Sequence, residues 1–273
     1  MKRIWPRIIG VLLALAVLAF VSVCLADAVG TFAVPKPALK RLLVVTVTKG
    51  YRHASIAVGE RVAGELAAKS GAFTVDYART DEDLAAKMTA EGLKHYDGVF
   101  FLNTTGKLPL PDKQAFLDWI KSGKGFIGTH SATDTFHGDG VVDPYIEMIG
   151  AEFASHTVAK VECLNEDPTH PATRDLGKTY PVFDEIYVMK NFSPAKVHIL
   201  LRLDKAPGSD RAGYFPIAWC KKYGDGKVFY TALGHEDAVW ESPAFQLHLL
   251  GGIKWALGLE AGNAAPQAKD HIN

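Results

Sequence analysis

From Arg41 onward the chain alternates short apolar, β-branched runs with stretches of helical periodicity, a pattern that few architectures accept. "RLLVVTVT" (residues 41–48) is almost unbroken in its apolarity, as expected of a strand covered on both faces. Residues 53–71 then place Ile56, Val62, Ala63, Leu66 and Ala67 at helical spacing, with Gly71 as the stop. "FTVDYAR", "DGVFFLN" and "KGFIGTH" read as further strands, separated by the helical stretches "DEDLAAKMTAEGL" and "PDKQAFLDWIKSG". Such short alternation predicts an α/β fold with a doubly wound, mainly parallel sheet.

The second half changes character. After a helix near residues 144–149, five strand-like pieces follow at 153–164, 181–190, 197–203, 214–223 and 226–233, with "YGDGK" (223–227) as a hairpin signal between the last two. A closing helix is expected over 243–257. The sheet should therefore gain a mixed or antiparallel extension in its C-terminal half. With 273 residues, 48% of them hydrophobic, the chain can bury one sizeable core. One domain is expected over 41–258, after a Pro-containing leader (29–40) and before a polar tail (259–273) read as disordered.

Lys2, Arg3 and Arg7 precede an apolar run over residues 8–23 that ends near Ala26, Asp27 and Ala28. This succession predicts a signal peptide over 1–28 and a periplasmic or secreted protein. The alternative is an uncleaved membrane anchor at residues 8–25. Cleavage takes the 30 basic and 30 acidic residues to 27 and 29, a net charge of −2. Nothing in that balance suggests a nucleic-acid partner. Cys163 and Cys220 then remain, and they read as two buried, unpaired thiols although an oxidising compartment would permit pairing.

Ligands of open parallel sheets bind beyond the carboxyl ends of the strands, so the polar residues there are the candidates. The first strand ends at Tyr51, Arg52 and His53, the third at Asn103, Thr104 and Thr105, and the fourth at His130. "GTHSATD" has the form of the strand-turn-helix elbow that exposes a nucleophile in hydrolases, with an imidazole where a Ser or Cys would stand. His156 and His235 also occupy strand or loop positions. His53, His130, His156 and His235, with Glu185 as a possible fifth member, would suit a divalent metal such as Zn, Mn or Co. Glu185 and His130 are the candidate proton carriers.

Several motifs carry a resemblance. "KGYRHAS", "TTGKLPL", "GKGFIGTHSATDTF", "IGAEFASH", "HPATRDL", "DEIYV", "PIAWCKKYGDGKVFYTALGHE" and "HLLGGIKWALG" resemble, in order over residues 41–258, the ThuA-like (trehalose-utilisation) domain. The resemblance implies a flavodoxin-like fold related to class I glutamine amidotransferases, without their catalytic cysteine. It also implies a role in sugar catabolism through 3-keto-sugars, with no nucleotide cofactor. Matched position by position, it points to His53, His130, Asp134, His156, Glu185 and His235. Catalysis is accordingly expected from His130, Glu185 and Asp134, and substrate contacts from Tyr51, Arg52, Asn103, Thr105, Tyr187 and Trp240. The chain departs from the family pattern at Tyr214-Phe215-Pro216, which usually resembles Asp-His-Pro, and at Thr157, where proline usually follows the histidine. The expected activity is that of a keto-sugar isomerase, lyase or hydrolase, and the alternative is a noncatalytic carbohydrate-binding protein on the same scaffold.

Overall fold

A computed structural model describes residues 39–138 and 140–267. The expected signal peptide lies outside the described residues, as do nearly all of the leader and the end of the tail. The first half runs β1 (Lys40–Val45), α1 (Ile56–Ser70), β2 (Phe73–Ala78), α2 (Asp81–Lys87), α3 (Ala90–Leu93), β3 (Gly98–Leu102), α4 (Lys113–Lys121), β4 (Gly125–Thr129), a 3₁₀ turn (His130–Asp134) and α5 (Pro144–Ile149). The second half runs β5 (Glu152–Asn165), β6 (Thr179–Lys190), β7 (His198–Lys205), β8 (Ala212–Tyr223), β9 (Gly226–Thr231), α6 (Asp237–Glu241) and α7 (Pro243–Ala256).

All nine strands form one sheet in the order β2-β1-β3-β4-β9-β8-β7-β5-β6. The pairs from β2 through β9 are parallel, and those from β9 through β6 are antiparallel. With β9 in fifth place, the parallel half has the 2-1-3-4-5 order of flavodoxin-like sheets. Successive side chains of β1 enter opposite cores: Leu42 and Val44 meet α1 and α7, whereas Leu43 and Val45 share the core that holds α4 and α5. Burial on both faces is why "RLLVV" shows no polar alternation.

Two expectations are corrected. The single helix read over "DEDLAAKMTAEGL" is broken between Lys87 and Ala90. Thr89 leaves the helix with extended φ and ψ, and its hydroxyl accepts from Gly92 N at 3.0 Å, starting a new turn. The tail read as disordered over 259–273 is in contact with the domain as far as residue 267. Gly262 O accepts from Trp255 Nε1 (3.2 Å), Ala265 O from His198 Nδ1 (2.9 Å), and Gln267 Nε2 donates to Ile199 O (3.1 Å). Polar composition hid this because two of the three partners lie on β7, 67 and 68 residues away in sequence. Cys163 and Cys220 are buried free thiols, and no helix among the described residues is long and apolar enough to cross a membrane.

Candidate active site and metal centre

Three parallel strands and the antiparallel ribbon deliver the site. β4 ends at His130, whose φ of 44° is left-handed, a conformation costing a non-glycine residue about 1–2 kcal/mol. Its surroundings hold it there: Nδ1 donates to Ala232 O at 2.9 Å, and the His130 carbonyl accepts from Tyr230 Oη at 2.6 Å. Beyond β1, a loop carries His53, whose Nδ1 lies 3.3 Å from Ser131 Oγ. Beyond β9, residues 232–235 carry His235. The β5–β6 ribbon supplies Glu185, paired in register with Val158, and places His156 opposite Tyr187.

These groups converge. Glu185 Oε2 lies 3.3 Å from His130 Nε2 and 3.2 Å from His235 Nδ1, and the two nitrogens are 3.2 Å apart. His53 completes a set of four whose ligand atoms all lie within 4.8 Å of one another. The other Glu185 oxygen, Oε1, meets His156 Nδ1 at 2.8 Å. His156 is therefore outside that set of four, and Glu185 takes the place expected of that histidine.

Because Ala232 O can only accept, His130 Nδ1 carries the proton, and a neutral ring then has its lone pair at Nε2. With the His235 proton on Nε2, three electron-pair donors face one point. Burial, reinforced by the fields of His130 and His235, pushes the His53 imidazole down to about 3, so it is neutral near pH 7 and available as a ligand. Burial would raise Glu185, but the neighbouring imidazoles of His130, His235 and His156 outweigh it and hold the carboxyl below its usual range. The Asp134 carboxyl is pushed up by burial, against the field of His137. A cleft of about 420 Å³ opens over the cluster, lined by Tyr51, His53, Asp134, Phe153, His156, Glu185, Tyr187 and His235. The His53, His130, His235 and Glu185 group could hold a metal ion.

The other expected contacts divide. Tyr51 stands at the rim, 67% exposed, with its ring edge-on to His53. Tyr187 is buried beneath His130, ring centroids 4.1 Å apart. Arg52 is turned back, donating to Thr46 O at 2.8 Å. Thr105 donates to Tyr51 O at 2.9 Å and so shapes the rim loop without lining the cleft. Asn103 is fully buried between Thr129, Ser55 and Gly234 O. Trp240 is fully buried, donates to Gly234 O at 2.8 Å, and has no face open for stacking. None of Tyr214, Phe215 and Pro216 lines the cleft, so that departure from the family pattern does not reach it.

Sequence reading missed Asp184. Fully buried beside Glu185, it accepts from Gly234 N (2.7 Å), His235 N (3.1 Å) and Glu236 N (3.0 Å), and so clamps the loop that bears His235. Adjacent on the strand, Asp184 and Glu185 face opposite sides of β6, and both are buried, at 0% and 8% exposure.

Comparison with known proteins agrees with this architecture. Residues 41–256 match the family model of ThuA, described as trehalose utilisation. A ThuA-like protein from Bacteroides uniformis is similar in structure with a TM-score of 0.62 at 21% identity, over 81% of this chain and 92% of that one. A ThuA-like protein from Parabacteroides merdae gives 0.60 at 20%, over 80% and 90%. A beta-galactosidase from Bacillus circulans sp. alkalophilus gives 0.52 at 12%, over 80% of this chain and 30% of that one, a likeness of fold alone. A search of curated proteins gives no match.

Proposed function

The chain belongs to the ThuA, trehalose utilisation, family, and on that footing we propose that it is an enzyme acting on a glycoside or 3-keto-sugar by carbonyl polarisation and proton transfer. The observation that carries this reading is the triangle of His130 Nε2, His235 Nδ1 and Glu185 Oε2, with edges of 3.2, 3.2 and 3.3 Å. A tetrahedral ion with bonds of about 2.0–2.1 Å separates its ligand atoms by about 3.3 Å. Those three donors fit a divalent Zn, Mn or Co ion and leave a position for substrate, with His53 a further donor within 4.8 Å. Bound there, such an ion would polarise a substrate carbonyl and acidify the hydrogen on the neighbouring carbon.

The chain's own residues supply the rest. Glu185 Oε1 accepts the Nδ1 proton of His156, which leaves Nε2 of the neutral ring free to take a proton from substrate in the cleft. Glu185 thus serves as ligand through one oxygen and orients the base through the other. Asp134, its carboxyl raised by burial, lines the same cleft and can return a proton to a departing oxygen. Tyr51 offers a ring face to the sugar from the rim.

The test is solvent exchange. Protein supplied with Zn²⁺, Mn²⁺ or Co²⁺ should exchange the hydrogen beside the carbonyl of a 3-keto-glycoside with deuterium, and chelation should stop it. His156→Gln should slow exchange about 100-fold or more while sugar affinity stays within a few-fold. Tight binding of the keto-sugar with neither exchange nor turnover, whichever ion is supplied, would leave a noncatalytic carbohydrate-binding protein.

Export is part of the proposal, supported by the basic, apolar and small-residue succession at the N-terminus. Protein recovered from an envelope fraction should begin near Val29. An intact Met1 in a membrane pellet would instead favour an anchor at residues 8–25.

A further inference from the structure

A second cavity, of about 450 Å³, shares no lining residue with the cleft. It lies beside the C-terminal end of α5 and is lined among others by Val142, Ile146, Ser193, Lys196, Lys221 and Tyr223. Lys221, on β8, is only 9% exposed. Its ammonium donates to Glu147 O at 2.8 Å, in the last turn of α5, where a cation is favoured. That bond engages one of its three N–H groups, and Lys221 has no carboxylate partner among the described residues. Gly150 keeps the approach open: a Cβ there would lie 2.9 Å from Trp219 Nε1 and 3.6 Å from Lys221 Cδ.

A helix-capping role explains one N–H but not the rest of the cavity. A buried cation without an ion-pair contact is costly, and a second cation on the same cavity raises that cost, although the Glu147 carboxylate also belongs to the lining. Burial and Lys196 together hold the Lys221 ammonium down to about 8, with the exposed Glu147 carboxylate opposing them only in part. An incoming anion would relieve both cations. Ser193 adds a hydroxyl that makes no capping bond to its own turn. Asn191 contributes less, because its amide is committed to Glu152. The volume exceeds that of a bare oxyanion and has apolar walls, so an organic body fits beside the charged group.

We propose that this cavity is a second binding site, for a small organic anion whose phosphate or carboxylate group lies between Lys221 and Lys196 and whose apolar part rests against Val142 and Ile146.

Calorimetric titration of the full chain with inorganic phosphate and, separately, with acetate tests the charged part and tells the two groups apart. At least one should bind saturably, with affinity falling tenfold or more in Lys221→Gln and in Lys196→Gln. Lys222→Gln, an exposed neighbour on β8, should leave it unchanged. Lys196 is exposed, so its variant decides the matter even if Lys221→Gln fails to fold. His130→Ala should also leave this binding intact, which separates it from the fate of the proposed metal centre. Absence of saturable binding of either anion, or Lys196→Gln titrating like the wild type, would overturn the proposal.

Discussion

Asp184 and Glu185 are neighbours on one strand with opposite tasks. Glu185 faces the imidazoles, while Asp184 points through the sheet to three backbone N–H groups of the loop that carries His235. The same loop is gripped from its other side, where Gly234 O accepts from Ser55 Oγ (3.1 Å), Asn103 Nδ2 (2.8 Å) and Trp240 Nε1 (2.8 Å). Asn103 and Trp240, expected to touch substrate, instead help fix the peptide that precedes a site histidine. Replacing Asp184 by Ala strands three backbone donors, that of Gly234 fully buried and the other two partly so, and urea unfolding should show a loss of about 2 kcal/mol or more. Asp184→Asn can still accept but presents an amide to one donor, so it should fall between wild type and Ala. His130 and His235 were legible because they follow strand ends, and His53 because it lies in the loop beyond β1, whereas His156 sits inside β5. Asp184 was not, because its partners are some 50 residues away in the chain.

Among the elements, α7 shows how a short motif sets a distance. In "HLLGGIKWALG" the two glycines sit mid-helix, where each costs about 1 kcal/mol relative to Ala in helix propensity. The structure gives the compensation: a Cβ on Gly251 would lie 1.9 Å from Pro171 O, and one on Gly252 would lie 2.3 Å from Phe229 Cε1. They let α7 lie close against β9 and the 166–176 turn. Gly251→Ala should therefore lower stability by about 2 kcal/mol or more in chemical denaturation, where propensity alone predicts a gain of about 1 kcal/mol. The strands of the parallel half were readable from apolar runs, and the hairpin of β8 and β9 from "YGDGK". The break between α2 and α3 was not read, because no proline or glycine precedes Thr89 to stop the helix and the break rests on its extended φ and ψ.

At the scale of the molecule, burial of histidines away from the cleft couples the fold to pH. Burial pushes His248 down to about 4, and His170 likewise, although Asp167 opposes the shift at His170. Both imidazoles take up protons below about 6.5 in the unfolded chain but only near 4 in the folded one. Their effect on stability is therefore nil above 6.5 and becomes a loss as pH falls from 6.5 to 4, up to about 3 kcal/mol for each. Denaturant midpoints at pH 7, 5.5 and 4.5 should decrease in that order, before most carboxylates titrate. A constant midpoint over that range would contradict the burial. The sequence by itself determined the α/β alternation, the antiparallel extension and the strand ends that His130 and His235 follow, because side-chain period and turn chemistry are local properties. Which of those imidazoles share a carboxylate, which carboxylate that is, and which expected contacts are buried as struts were decided only by tertiary structure. Those outcomes depend on the sheet order, which brings β4 and β9 side by side, and on the reach of the β5–β6 ribbon to them, and neither is encoded within any single stretch of chain.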